Sequence, residues 1–104
     1  MTTVIICGSY YTLPVEIART YRGRQLQDNE VYIGRGSPWG NPFVIGKDGT
    51  REEVIQKYYQ WLPTQPELLA ELPSLVGKRL LCWCHPELCH GHIIGLAMLE
   101  RGIK

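Results

Sequence analysis

The 104-residue sequence has no long hydrophobic run, no low-complexity segment and no excess of charge of either sign. No stretch approaches the roughly 18 apolar residues of a membrane span. The first residues, MTTVIICGSYY, have no basic start and only a short apolar run, which is not typical of a signal peptide. The formal net charge of +1 argues against a dedicated nucleic-acid binder, which normally has a strongly basic face. We therefore expect one cytoplasmic domain over residues 1–104, without a membrane partner or strong nucleic-acid binding, as a monomer or homodimer.

Cysteine and histidine are concentrated in one short stretch. The chain has four cysteines and three histidines, and LCWCHPELCHGH at residues 81–92 contains all of the histidines and every cysteine except Cys7. In the absence of a secretion signal, reduced thiols or metal ligands are expected rather than a disulfide framework. The stretch therefore has a metal site, a reactive thiol or an anion-binding turn as its candidate functions.

Three apolar segments predict strands at residues 3–7, 30–34 and 78–84, the last buried on both faces. Residues 8–29 are harder to assign, and a short helix after Pro14 is one interpretation. Helices are predicted from a capping box of Thr50 and Glu53 to Pro63, and again after Thr64. That second helix uses the same spacing, Thr64 to Glu67, with Pro66 in its first turn. A last helix begins at residue 89 or 90 and ends near residue 102.

This order of elements predicts an α/β fold: a small, three-layer Rossmann-like domain with a short, mostly parallel sheet. In such sheets ligands bind beyond the carboxyl ends of the strands. The two unusual stretches of the sequence, RGSPWGNPF and CHPELCHGH, begin at such ends. They are therefore expected to form one shared pocket.

A metal site is one interpretation of the cysteines. Cys82 and Cys84 are two residues apart on a predicted strand and should face the same side, while Cys89 follows a turn at Pro86. Three thiolates with a histidine can bind zinc, and three thiolates can hold an iron–sulfur cluster with one iron open. The C-x-C-x4-C spacing is not the paired C-x2-C of common zinc modules.

Anion capture with a reactive thiol is the interpretation we favour. The N–H groups at the start of the last helix favour phosphate or carboxylate, and Gly91 would let a ligand approach the backbone. The same field should lower the pKa of Cys89, with His90 beside it as a proton carrier. Cys84 is a second candidate nucleophile. Cys82 alone is also explained as a small core residue.

The loop at residues 35–43 has side chains that suit a nucleotide-like ligand. Trp39 offers a flat face for stacking, Asn41 a paired donor and acceptor, and Arg35 a two-pronged fork for phosphate. Gly40 permits backbone angles that other residues avoid. The alternative is structural: Trp39 and Phe43 fill the core, and Asn41 caps its own turn.

Together the blocks R-x-x-P-W-G-N-P-F and C-W-C-x-P-x-x-C-H-G make the sequence resemble the small phage and bacterial proteins of domain of unknown function family 4326. The resemblance covers residues 30–99. Family members typically have aspartate where this chain has His92. The family name implies no reaction, but the resemblance implies one shared site. Its members here are Arg35, Pro38, Trp39, Gly40, Asn41, Pro42, Cys82, Cys84, Cys89, His90 and Gly91.

The predicted shared pocket would bring together thiol, imidazole, guanidinium and indole groups. This combination favours a small enzyme that acts on a nucleotide, nucleoside or nucleobase-like metabolite. The ligand would lie between residues 35–43 and the turn at residues 84–91. The reaction would be a thiol- or imidazole-dependent hydrolysis or group transfer. The alternatives are a non-enzymatic nucleotide-binding phage accessory module, and a metalloprotein with zinc or an iron–sulfur cluster on Cys82, Cys84 and Cys89.

Overall fold

An antiparallel hairpin opens the computed structural model, which describes residues 2–6, 8–83 and 89–103. Strand β1 (Thr2–Ile6) pairs with β2 (Ser9–Leu13), from Thr2 opposite Leu13 to Ile6 opposite Ser9. Val4 and Ile6 face the core while Ile5 faces solvent. The strand predicted at residues 3–7 therefore exists, but it lies in a two-stranded hairpin outside the parallel sheet.

A three-stranded parallel sheet forms the centre of the molecule. Its strands are β3 (Glu16–Arg19), β4 (Glu30–Tyr32) and β5 (Arg79–Cys82), in the order β3-β5-β4. Central strand β5 is fully buried from Leu80 to Cys82, as its unbroken apolar sequence predicts. The short helix considered after Pro14 is wrong. Val15 and Ile17 are buried and alternate with Glu16, which is the period of a strand.

Helix α1 (Arg51–Trp61) follows the glycine-rich loop. The predicted capping box is present: Glu53 N–H donates to Thr50 Oγ1 at 3.3 Å, and Thr50 N–H donates to Glu53 Oε1 at 2.9 Å. Val54, Ile55 and Tyr58 form its buried face. A 3₁₀ turn (Leu62–Thr64) ends the helix around Pro63.

Helix α2 (Pro66–Glu71) is short and continues into a 3₁₀ turn (Leu72–Leu75). The capping box predicted from Thr64 and Glu67 is wrong, because Gln65 occupies the N-cap position and its side chain does not cap the helix but donates to Thr64 Oγ1 at 2.9 Å. The Thr64 hydroxyl instead donates to the main-chain oxygen of Trp61 at 2.6 Å. Pro66 does occupy the first helical position, where its missing N–H costs little.

Helix α3 (His90–Glu100) packs against α1, β2 and β5 and is buried along most of its length. Two glycines allow this close packing: a Cβ atom on Gly91 would lie 2.8 Å from Ile33 Cδ1, and one on Gly95 would lie 2.7 Å from Leu13 Cδ1. None of the helices formed by the described residues has the length and apolar character that a membrane span requires. The fold is thus mixed α/β, with one parallel sheet, one hairpin and three α-helices in the part of the chain that the structure describes.

Candidate functional site

The carboxyl ends of the three parallel strands lie at one edge of the central sheet. Pairing continues one residue past two of the strands: Thr20 N–H donates to Cys82 O at 2.8 Å, and Ile33 N–H donates to Leu81 O at 3.0 Å. Beyond this edge lies a cavity of about 210 Å³. It is bounded by the loop after β4, the start of α1, the residue after β5 and the start of α3.

Polar and aromatic side chains from distant parts of the sequence line this cavity, above a floor of Val54 and Ile55 from α1. They are Arg35, Asn41, Phe43, Arg51, Trp83 and His90. No aspartate or glutamate occurs among the described residues that line it. The glycine-rich loop and the start of the last helix therefore meet at one cavity, which Arg35 and Arg51 line.

The glycine-rich loop is held by its own side chains. The Arg35 guanidinium donates to the main-chain oxygens of Asn41 at 2.9 Å and Phe43 at 3.3 Å. The Asn41 side chain accepts the N–H of Phe43 at 2.9 Å and donates to Val54 O in α1 at 3.2 Å. Both ends of the Asn41 amide thus have partners within the protein, which agrees with the structural alternative for this residue.

Trp39 lies in the core and not in the cavity wall. Its side chain is 6% exposed, and its main-chain oxygen accepts the buried hydroxyl of Tyr58 at 2.8 Å. Gly40 allows the main chain of the loop to pack closely against itself, because a Cβ there would lie 3.0 Å from Gly34 O. The aromatic residues that line the cavity are instead Phe43 and Trp83, among the described residues.

Trp83, which the sequence analysis did not select, is the exposed aromatic residue of the cavity. It directly follows β5 and is 46% exposed. Its indole N–H donates to Tyr32 Oη at 2.9 Å, and that hydroxyl donates to Arg35 O at 3.0 Å. The predicted strand at residues 78–84 included Trp83, whereas β5 ends at Cys82 and so places Trp83 at the strand end, beyond which ligands bind.

His90, the first residue of α3, is the titratable group of the cavity. Its Nε2 lies 2.5 Å from the main-chain oxygen of Ile33, and because a carbonyl only accepts, Nε2 must donate. The ring meets Tyr58 edge-on, with centroids 5.2 Å apart. Burial, and to a smaller extent the charge of Arg35, lower the pKa of His90 below its usual 6.5. At neutral pH the imidazole is therefore neutral, with its lone pair on Nδ1.

Cys89 differs from the expectation of a reactive thiolate. Cys82 and Cys89 are both fully buried, and their sulfur atoms lie 3.2 Å apart. The hydrogen bond with Cys82, together with burial, raises the pKa of the Cys89 thiol, and the N–H groups of Gly91 and His92 oppose this only in part. The predicted lowering of this pKa is wrong, because desolvation and the neighbouring sulfur outweigh the field of the helix.

Only some of the predicted metal ligands lie within the residues that the structure describes. Cys82 and Cys89 are adjacent, whereas Cys84 and His85 lie outside the described residues. Within residues 2–6, 8–83 and 89–103, no group of three or more His, Cys, Asp and Glu side chains is arranged to hold a metal ion. Of the predicted cysteine ligands, the described residues therefore include two, Cys82 and Cys89.

The first turn of α3 uses the candidate nucleophile Cys89 and the candidate ligand-binding residue Gly91 for contacts within the protein. Cys89 is its N-cap, and its N–H donates to His92 Nδ1 at 3.4 Å. The missing side chain of Gly91 leaves room for Ile33 and Ile17 of the sheet and not for a ligand. His92 therefore acts as a capping acceptor.

A buried ion pair fixes the strand next to the site. Glu30 is buried and accepts both prongs of Arg24 at 2.7 Å as well as Gln27 N–H at 2.9 Å. Arg79 approaches the same carboxylate at 3.5 Å. These donors lower the pKa of Glu30 to about 2, the Arg24 hydrogen bond being the largest cause. The carboxylate is therefore ionised throughout the neutral range and anchors the loop before β4.

Comparison with known proteins agrees with the sequence motifs. An uncharacterized protein (R718) of Acanthamoeba polyphaga mimivirus is 31% identical over 87 residues, covering 66% of each chain. An uncharacterized 12.4 kDa protein in the nrdA-td intergenic region of Enterobacteria phage T4 is 40% identical over 72 residues, covering 64% of this chain and 65% of its own. The chain thus spans just under two thirds of the length of these curated relatives. No solved structure matches. A family model described as a domain of unknown function, DUF4326, matches residues 15–100, and the chain belongs to that family.

Proposed function

We propose that this protein binds a nucleotide-like anion beyond the carboxyl edge of its parallel sheet, as Rossmann-like domains do, and acts on it with His90 as the proton carrier. The cavity between the glycine-rich loop and the start of α3 is the observation that supports this most directly. It combines two guanidinium groups, Arg35 and Arg51, with the aromatic rings of Phe43 and Trp83. Anionic groups and planar rings are the ligand features that these side chains bind best.

The size of the cavity limits what it can enclose. Pockets for drug-sized ligands usually measure roughly 300–1,000 Å³, and this one has about 210 Å³. A nucleobase or a sugar phosphate fits, and the rest of a nucleotide would extend past the exposed indole of Trp83. The phosphate is expected near Arg35 and Arg51, because both guanidinium groups line the cavity and guanidinium binds phosphate well.

The imidazole is better suited to catalysis than the described thiols. A neutral His90 with Nε2–H bonded to Ile33 O has Nδ1 available to take a proton from substrate or water. Cys89 is buried and protonated, so the proposed hydrolysis or transfer does not use it as the nucleophile. Cys84 stays a candidate nucleophile outside the described residues.

Binding and turnover of a nucleotide panel test the proposal. The Arg51→Gln variant should weaken binding roughly tenfold or more, since a hydrogen bond to a charged group contributes about 1.5–3 kcal/mol. Arg101→Gln, the same change at the exposed end of α3, is the matched control and should bind as the wild type does. His90→Gln retains a donor for Ile33 O but cannot transfer the proton, so it should bind and not turn over. Equal affinities of Arg51→Gln and wild type would refute the site.

A non-enzymatic ligand-binding module of the phage accessory type is the second candidate. Two observations favour it: both ends of the Asn41 amide are hydrogen-bonded within the protein, and the Cys89 thiol is buried. Such a module would bind the nucleotide tightly and release it unchanged. Wild-type binding with no turnover of any bound ligand selects this candidate over the enzyme.

A metalloprotein is the third candidate, and the 3.2 Å separation of the Cys82 and Cys89 sulfurs favours it, because two ligands of one ion must lie close together. Elemental analysis and the ultraviolet-visible spectrum of anaerobically purified protein test it. Stoichiometric zinc, or the absorption of an iron–sulfur cluster, would support this candidate. Metal-free protein that binds nucleotide normally would exclude it.

A further inference from the structure

A second recess lies on the other side of Trp83 from the cavity. It is a groove of about 640 Å³ that follows strand β3, in the segment TYRGRQL. Its walls are the loop after β3 together with Tyr32 and Trp83. We call it the β3 groove, defined by Thr20, Tyr21, Arg22, Gly23, Arg24, Leu26, Tyr32 and Trp83.

The chemistry of the β3 groove repeats that of the cavity. Tyr21 is 66% exposed, and its ring and the indole of Trp83 supply two aromatic surfaces. Arg22 and Arg24 supply guanidinium groups, and no carboxylate lines the groove among the described residues. Arg24 is fixed in place by its two-pronged bond to Glu30, which offsets its charge, so Arg22 provides the groove's net positive charge.

Trp83 links the two recesses, because it lines both. A hydrogen-bonded chain runs from its indole to Tyr32 Oη, which lines the groove, and on to the main-chain oxygen of Arg35, which lines the cavity. The four arginines along the two recesses are Arg22, Arg24, Arg35 and Arg51, whereas the whole chain has a formal net charge of only +1. Apart from Arg24, whose charge Glu30 offsets, three arginines therefore line the two recesses at the carboxyl edge of the sheet.

We infer that the β3 groove is the second subsite of a ligand with two planar rings joined by phosphates, that is, a dinucleotide whose one end occupies the cavity. This inference rests on the proposed function and names its ligand class. A mononucleotide would occupy only one of the two recesses and leave the aromatic rings and arginine of the other without a ligand. A long single strand would need a basic track that continues beyond the two recesses, and the near balance of acidic and basic residues argues against one.

Isothermal titration with matched ligands tests the inference. The probes are the 5′-monophosphates of adenosine, guanosine, cytidine and uridine, the corresponding symmetrical dinucleoside 5′,5′-diphosphates, and single-stranded tetranucleotides. The variants are Tyr21→Ala in the groove, Tyr10→Ala as an exposed tyrosine on the hairpin, and Arg51→Gln in the cavity. Tyr10 and Tyr21 are both exposed, so the two alanine variants should fold alike.

The expected result is that one dinucleoside diphosphate binds at least tenfold more tightly than its monophosphate. Tyr21→Ala should weaken dinucleotide binding about 5- to 150-fold, the range for loss of one stacked base, and leave monophosphate binding unchanged. Tyr10→Ala should change neither, and Arg51→Gln should weaken both.

Three results overturn the inference. They are equal affinity for mono- and dinucleotides, no greater effect of Tyr21→Ala than of Tyr10→Ala, and tighter binding of the tetranucleotide than of the dinucleotide. If monophosphates bind in any of these cases and Arg51→Gln weakens that binding, the proposed function stands and only the second subsite is refuted. If neither class of nucleotide binds, both fail.

Discussion

The hydroxyl of Tyr58 holds the glycine-rich loop to helix α1, and its removal gives a quantitative test of how the site is built. Tyr58 is fully buried and donates to Trp39 O at 2.8 Å. In Tyr58→Phe that carbonyl loses its side-chain donor, away from water. A buried polar group left unsatisfied costs about 1–3 kcal/mol. Each kcal/mol lowers the Tm of a domain of this size by roughly 4 °C or somewhat more.

The neighbouring Tyr59 is the matched control. Its hydroxyl also makes hydrogen bonds, at 2.9 Å to the Glu100 carboxylate, but it is exposed and water can replace that partner. Tyr59→Phe should therefore change the free energy of unfolding by less than about 0.5 kcal/mol. Urea denaturation followed by tryptophan fluorescence measures both variants, with the slope m expected to be unchanged. If Tyr58→Phe is no more destabilising than Tyr59→Phe, the loop is not anchored as described.

Three further predictions concern the ion pair, the thiols and the helix–sheet contact. The pKa of Glu30 in the folded protein is about 2, below its usual 4.5, so the stability that Glu30 contributes is present above pH 4.5 and is lost as the pH falls toward 2. Glu30→Gln should therefore flatten the pH dependence of the free energy of unfolding between pH 4.5 and 2. An unchanged pH dependence in this variant would contradict the role given to the ion pair. Peptide-resolved alkylation should label Cys82 and Cys89 much more slowly in native than in unfolded protein, whereas fast native labelling would disprove their burial. Gly91→Ala should destabilise by about 1–3 kcal/mol in thermal unfolding, because its Cβ would meet Ile33 Cδ1 at 2.8 Å, and a gain in stability would show that the helix can shift.

The parts of the fold that local chemistry determines were predictable. The capping box at Thr50 and Glu53 uses only neighbouring groups, and the apolar run of β5 indicates burial wherever it packs. Strand β3 was missed because its four residues become a strand by pairing with β5, which is distant in sequence. The second capping box failed because Thr64 donates backwards to Trp61 O instead.

The location of the candidate site could be predicted from the sequence, but several of the residues that line it could not. Parallel strands bring their carboxyl ends to one edge, so the meeting of Arg35 and His90 follows from topology. Which of two tryptophans is buried depends on packing, and here Trp39 fills the core while Trp83 faces the cavity. The pKa of Cys89 was misjudged because the contact with Cys82 and the degree of burial are tertiary features.

The most direct test of the central claim is a nuclear magnetic resonance titration of the three tryptophan indole N–H signals with the nucleotide panel. A ligand in the cavity must contact Trp83, which lines it, whereas Trp39 is buried away from it and Trp61 lies at the far end of α1. The account predicts that a nucleotide shifts the Trp83 signal in a saturable way and leaves the other two nearly unchanged. An unmoved Trp83 signal with every nucleotide, or a shift confined to Trp61, would contradict it.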